Sequence, residues 1–355
     1  YRIALERKKN GQCVIFLRGK RNNMKLSLKL IIFIIATSIV SCTKNEVSYV
    51  EDSSFADVCM SLPVPANKIL PLNDASTEWF QVYESHKGVY SIVEPYQFQM
   101  SISHLIVGDE RALLFDTGMG MAPIKPVIES LTDLPVTVLN SHTHFDHVGG
   151  NAEFDNILAV DSPYTRANMK GFSHEEVAGD VIDEAFCNGP PKSLDTENYY
   201  TRAWSADNFV INGQTIDLGN RLIEVIHVPG HTPDALALLD QENALLFTGD
   251  TYYDDNLWLF SPETDLDHYS ESIAKLSELE DQIEFIFGAH TSARVDAGIL
   301  SKVKESFSKL RSGKVKPIHE VQDRLIYEID GINFVTSKSI LAGEKISMDK
   351  GASGL

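Results

Sequence analysis

His142-Thr143-His144-Phe145-Asp146-His147-Val148-Gly149-Gly150 is the stretch whose reading decides the fold. It holds four metal-capable side chains within six residues, directly after the apolar run Val136–Leu139. In an extended chain side chains alternate with period two, so His142 and His144 project to one side. Asp146 and His147 are neighbours and diverge, which disfavours their joining the first pair on a single metal. A second metal beside the first would satisfy them. Gly149 and Gly150 are expected to let the chain turn away tightly where a side chain would collide. The bland alternative is a chance cluster of histidines on a solvated loop, and the surrounding chain decides between the two.

Working outward, the pattern is strand-rich from Trp79. Phe80–Tyr83, Val89–Val93 and Ser103–Val107 carry β-branched and aromatic residues. Ala112–Phe115 is a continuous apolar strand ending in Asp116-Thr117-Gly118. Ile124–Thr132 reads as a helix, with Pro123 and Pro126 near its first turn, where proline is tolerated. Strand, helix, strand and then a ligand-bearing loop is an α/β arrangement with functional residues at strand ends. Residues 161–209 are less regular. Helices are expected around Pro163–Met169 and Glu175–Phe186, and the aromatic content, Tyr164 included, suits either a pocket-shaping insertion or ordinary packing.

Farther on, Gln214–Leu218 and Leu222–Val228 read as a hairpin about Gly219-Asn220. They lead to Pro229-Gly230-His231-Thr232. Strands Ala235–Leu239 and Ala244–Phe247 follow, the second ending at Thr248-Gly249-Asp250-Thr251. Residues 265–281 have helical spacing, and Glu284–Phe287 delivers Gly288-Ala289-His290. A helix over Ala297–Leu310 and a hairpin of Leu325–Ile329 with Ile332–Val335 complete the pattern. His231, Asp250 and His290 each follow an apolar strand and a glycine. With the opening motif they make five histidines and two aspartates. One metal takes about four ligands, so seven imply two sites with room for water. Tyr252, Tyr253 and Trp258 follow Asp250 closely and are candidates to line the pocket, with aromatic packing as the other account. His86, His104, His174, His227, His268 and His319 lack such context and read as core or surface residues.

Charge is unevenly spread. Residues 1–44 hold 10 of the 31 Lys and Arg and one acidic residue, leaving a net charge of −28 over 45–355. So acidic a body is repelled by phosphate backbones, which disfavours nucleic acid as a partner. Residues 1–23 precede Met24 and read as over-extended translation. Residues 24–41 read as a signal peptide: a short cationic start, then an apolar run (Leu30–Val40) too short to span a bilayer comfortably. Ile39-Val40-Ser41-Cys42 resembles the lipobox of bacterial lipoproteins, which implies lipidation at Cys42. A lipid-anchored tether over 42–76, a main domain over 77–312 and a C-terminal hairpin and tail over 313–355 complete the expected organisation. The implied location is the bacterial cell envelope, facing the periplasm or the outside, with membrane contact through the lipid alone. Cys59 and Cys187 are free to pair in such a compartment, but the sequence does not decide it.

Taken in order, the Asp116-Thr117-Gly118 turn, the His142–His147 motif, Pro229-Gly230-His231-Thr232, Thr248-Gly249-Asp250-Thr251 and Gly288-Ala289-His290 resemble the metallo-β-lactamase superfamily. The match runs over roughly Trp79–Leu310. The resemblance implies an αββα sandwich, two mixed sheets flanked by helices, with metals at one edge. It assigns His142, His144 and His231 to a first metal, Asp146, His147 and His290 to a second, and Asp250 as the bridge, with Asp116 orienting the motif loop. It implies two divalent cations, zinc first, with iron and manganese also suited to these donors. Asp250 resembles the pattern of the glyoxalase II, lactonase and related esterase branches rather than that of the antibiotic-degrading groups. The activity implied is hydrolysis of a small ester, lactone or thioester by a hydroxide held between the metals, with Asp146 and Asp250 as the catalytic carboxylates. An iron-dependent oxidoreductase of the same fold and a non-catalytic metal-binding surface lipoprotein are the alternatives.

Overall fold

A computed structural model gives the fold and describes residues 2–7, 13–18 and 55–343. The signal segment and Cys42 lie outside the described residues. Arg2–Arg7 and Cys13–Arg18 form an antiparallel hairpin within a unit of their own.

The main body is organised by two sheets whose strands follow chain order. The first runs Gln81–His86, Val89–Val93, Ile102–Val107, Ala112–Phe115, Val136–Leu139, Ile157–Val160, Asn208–Val210. Its early pairs are antiparallel and its later ones parallel. The second runs Thr215–Asp217, Leu222–His227, Leu236–Asp240, Leu245–Gly249, Phe285–Gly288, Val295–Asp296. Alternation explains why the central strands look uniformly apolar in sequence. Leu113, Phe115 and Leu139 face Leu236, Leu238, Leu245 and Phe247 between the sheets. Ala112, Leu114 and Val138 face outward into a second core with the helix Lys125–Leu131. Ala237, Leu239 and Leu246 likewise face a third core with the helices Leu266–Ser277 and Leu300–Arg311. Strands buried on both faces need no polar alternation. The result is the αββα sandwich anticipated above.

Three expectations change. The helix expected over Glu175–Phe186 is broken: His174–Val177 is helical, capped by Ser173 and Glu176, and short 3-10 turns follow at Ala178–Val181 and Asp183–Ala185. Tertiary pairing overrides helix propensity here. Phe98 N donates to Ala185 O, Cys187 N to Tyr96 O and Gln97 Nε2 to Asp180 O. The second half of the expected tether packs onto the body: Val64 and Leu70 are buried, and Asn67 Nδ2 donates to Thr291 O. Cys59 and Cys187 form a disulfide that joins this segment to the broken helix. Third, the C-terminal hairpin, Arg324–Ile329 with Ile332–Ser337, pairs in parallel with Leu257–Leu259. Leu325, Tyr327 and Phe334 join the third core, so packing runs continuously across residue 312.

Candidate metal centre

Each candidate ligand sits just past the end of a strand at one edge of the sandwich. Val136–Leu139 leads to His142, Leu222–His227 to His231, Leu245–Gly249 to Asp250, and Phe285–Gly288 to His290. Within the motif the backbone changes character. His144 is extended (φ −67°, ψ 157°), and Phe145–Val148 is a single helical turn. His142 and His144 therefore do share a side, while the turn carries Asp146 and His147 away to a second position.

The collision expected at the glycines is present, but the tight turn is not. Gly149 and the residue after it have ordinary negative φ, so no special turn is needed. A Cβ on Gly149 would lie 2.1 Å from the carbonyl carbon of Met119, so it is close backbone packing that excludes a side chain. Gly230 has φ 145°, and a Cβ there would lie 2.4 Å from Tyr269 Cα. That contact sets His231 against the helix Leu266–Ser277.

The seven side chains come together as three overlapping groups: His142, His144, His231; His142, His147, Asp250; and Asp146, His147, His290. Five imidazoles converge because each is held from behind. His142 Nδ1 donates to Ser141 Oγ (3.0 Å), which itself donates to Asp116 Oδ2. His144 Nε2 donates to Glu263 Oε1 (2.6 Å), and His147 Nδ1 to Asp116 Oδ2 (2.9 Å). His231 Nδ1 donates to Trp258 O (2.8 Å), and His290 Nδ1 to Gln99 O (2.7 Å). These partners orient the rings so that the opposite nitrogens point inward, toward one another and toward Asp250. His144 Nδ1 lies 2.9 Å from His142 Nε2 and 3.1 Å from His231 Nε2. Asp250 stands between the groups: Oδ2 is 3.4 Å from His231 Nε2, and Oδ1 is 3.1 Å from His290 Nε2 and 3.6 Å from His147 Nε2. His147 Nε2 and Asp250 Oδ1 are buried without a hydrogen-bond partner. Buried polar atoms left without a partner among imidazoles and carboxylates are costly unless a cation sits among them. The donor set thus fits two divalent cations.

Electrostatics follow from burial and these contacts. Burial holds His142 well below the usual histidine range and His231 at about 4, so both are neutral donors. Burial opposes charge on His147 as well, but Asp146, Asp250 and Asp116 outweigh it and push its pKa well up. Asp146 resists burial through His147 and His290, which hold it at about 2. Two further buried carboxyls feel the charge of Asp146. Burial raises Glu94 to about 7 despite hydrogen bonds from Met119 N and Trp79 Nε1, and it raises Asp180 to about 7.

Asp116 is where the motif loop is pinned. It adopts φ 68°, a left-handed conformation uncommon outside glycine, and its carboxylate accepts from Ser141 N (2.6 Å) as well as from His147. The aromatic candidates separate. Tyr252 is buried in the third core. Tyr253 lies edge-on to His290, 4.8 Å between ring centres, but its hydroxyl donates to Asn256 O. Tyr164 is half-buried and its hydroxyl donates to Glu263 Oε1 (2.9 Å). Trp258 is half-buried and begins an aromatic row: Phe98 stacks on it at 6.4 Å, and Phe260 follows at 5.4 Å with the Arg324 guanidinium 3.6 Å above its ring. Sequence reasoning missed Glu263, Gln99, Phe98 and Ser141. Two of these act through a backbone group or a ring with no motif around it, and Glu263 lies in an unmarked turn.

Comparison with known proteins agrees with the fold. A sequence model described as the Metallo-beta-lactamase superfamily matches residues 98–318, and the chain belongs to that superfamily. Among its relatives is an acyl-coenzyme A thioesterase, MBLAC2, of Gallus gallus, 26% identical over 248 residues that cover 64% of this chain and 89% of the relative. A hydroxyacylglutathione hydrolase of a Synechococcus strain is 28% identical over 135 residues, covering 37% of this chain and 42% of the relative. Among solved structures, the sec-alkylsulfatase Pisa1 from Pseudomonas shares the fold at 15% identity and a TM-score of 0.51, covering 65% of this chain and 42% of that one.

Proposed function

We propose that the protein is a hydrolase that uses two divalent metals to cleave a small ester, lactone or thioester, thioesters first. The observation that carries the reading is the convergence of four back-held imidazoles, His142, His147, His231 and His290, on one carboxylate, Asp250, with His144 beside two of them. When bound, the cations supply Lewis acidity and an acidified water. His142, His144 and His231 would hold one, Asp146, His147 and His290 the other, and Asp250 would be shared between them. Asp146 Oδ2, 3.6 Å from His290 Nε2, is placed to take the proton released on attack and pass it to the leaving group. The shared carboxylate supports the glyoxalase II-like and esterase-like branches, and the thioesterase and hydroxyacylglutathione hydrolase relatives support a thioester. The acyl part of the substrate lies along Phe98, Trp258 and Phe260, so Trp258→Ala raises KM more than it lowers kcat.

Zinc is the metal first proposed, since imidazole and carboxylate donors suit it, as they also suit iron and manganese. The test is metal analysis of purified protein followed by ester, lactone, thioester, β-lactam and phosphodiester panels. Metal-dependent thioester cleavage supports the reading. Bound iron with thiol-dependent oxygen uptake, or no cleavage of any panel by metal-loaded protein, overturns it. We further propose a lipoprotein of the cell envelope anchored at Cys42, a location to which the Cys59–Cys187 disulfide is suited. Fatty-acid labelling of wild type and equally of Cys42→Ser would contradict the anchor.

A further inference from the structure

We propose that Glu263 is a positioning residue that sets how tightly the first cluster holds its metal. The inference rests on the two-metal reading and deepens it. The first cluster consists of three imidazoles, and apart from the shared Asp250 it has no anionic ligand of its own. Glu263 supplies the missing charge from behind. Its Oε1 accepts from His144 Nε2 at 2.6 Å and from the Tyr164 hydroxyl at 2.9 Å. The accepted proton fixes the His144 tautomer, directs Nδ1 inward and makes that imidazole a stronger donor. Asp116 does the same for His147 in the second cluster. The carboxylates in contact with the imidazoles are Asp116, Asp146, Asp250 and Glu263, and their four negative charges match two divalent cations. Glu263 is also built into place. It sits in the turn Ser261-Pro262-Glu263-Thr264, closed by Thr264 N on Ser261 O. The turn is clamped to the His231 loop by Thr264 Oγ1 on His231 O (3.1 Å) and Asp265 N on Gly230 O (2.8 Å). One loop therefore places the third ligand and the anion behind the second.

The test is Glu263→Gln, which keeps shape and hydrogen bonding but removes the charge. Zinc-loaded wild type and variant are titrated with a chromophoric chelator, and the metal-free proteins are melted beside them. The expected result is one zinc equivalent weakened about 10–100-fold, the other held as in wild type, and metal-free melting unchanged. Both equivalents held as in wild type, or both weakened alike, would overturn the assignment. Should Glu263→Gln fail to fold, Glu263→Asp gives the same readout, because it withdraws the carboxylate from His144 by one methylene. Wild type that binds fewer than two metals would instead sink the two-metal reading itself.

Discussion

The two halves of the metal centre are built from different materials. The first cluster takes three imidazoles, held from behind by Ser141, Glu263 and the Trp258 carbonyl. The second takes Asp146 with His147 and His290, held by Asp116 and the Gln99 carbonyl. One keeps much of its negative charge a residue away, while the other presents a carboxylate directly. Only Asp250 belongs to both. The difference teaches that equal ligand counts can hide unequal dependence on the surroundings: the first cluster takes its charge from a partner outside its ligands, while the second has both such a partner, Asp116, and an aspartate of its own.

The largest expected effect comes from the shared residue. Asp250→Asn should weaken both metal equivalents and lower hydrolysis by more than the roughly 10–100-fold that outer partners cost. Metal content after dialysis and kcat/KM are the readouts, and loss of one equivalent only would mean that Asp250 does not join the clusters. His144→Ala should remove one equivalent, whereas Tyr253→Phe should keep two, since that hydroxyl is engaged with Asn256 O. Equal zinc in wild type and His144→Ala would break the division into clusters. Asp116→Asn is expected to be milder, about 10–100-fold and falling chiefly on the equivalent that Glu263→Gln spares, because Asp116 meets His147 directly and His142 only through Ser141. Should both variants weaken the same equivalent, the symmetry drawn between Asp116 and Glu263 is wrong.

The smallest effect on the metal centre, with stability rather than metal affinity as the readout, concerns a histidine outside either cluster. His104 is buried, with Nδ1 against Ser91 Oγ and Nε2 against Gly288 O, and burial lowers its pKa from 6.5 to about 4. A depressed folded pKa means that the unfolded chain binds the proton first. Its contribution is therefore present above pH 6.5 and is lost as pH falls toward about 4, on the order of 3 kcal/mol in all. Denaturant titrations of metal-free protein across that window should show a shallower decline in His104→Gln than in wild type. Parallel curves would mean that His104 is not a buried neutral group.

The seven candidate ligands, which the fold brings together, could be picked out in sequence because each follows an apolar strand closely, five in loops and two on a helical turn, and ligand chemistry needs particular residue types. The layer that aims them was not legible. Carbonyls of Gln99 and Trp258 carry no residue-type signal, and Glu263 lies 119 residues from His144 in a turn resembling any other. The sheets were readable from runs such as Ala112–Phe115, buried on both faces. The broken helix after His174 was not, because the Tyr96–Phe98 backbone that competes for it is far away in sequence. The packed stretch from Val64 to Leu70 was missed for a similar reason: its short apolar residues show no period and become meaningful only against the body.

The most direct test of the two-cluster account is anomalous diffraction at the zinc edge from crystals of metal-loaded protein. The account predicts two peaks about 3.5–4 Å apart, one among His142, His144 and His231 and the other among Asp146, His147 and His290, with Asp250 between them. A single peak, or two peaks of which neither contacts Asp250, would contradict it.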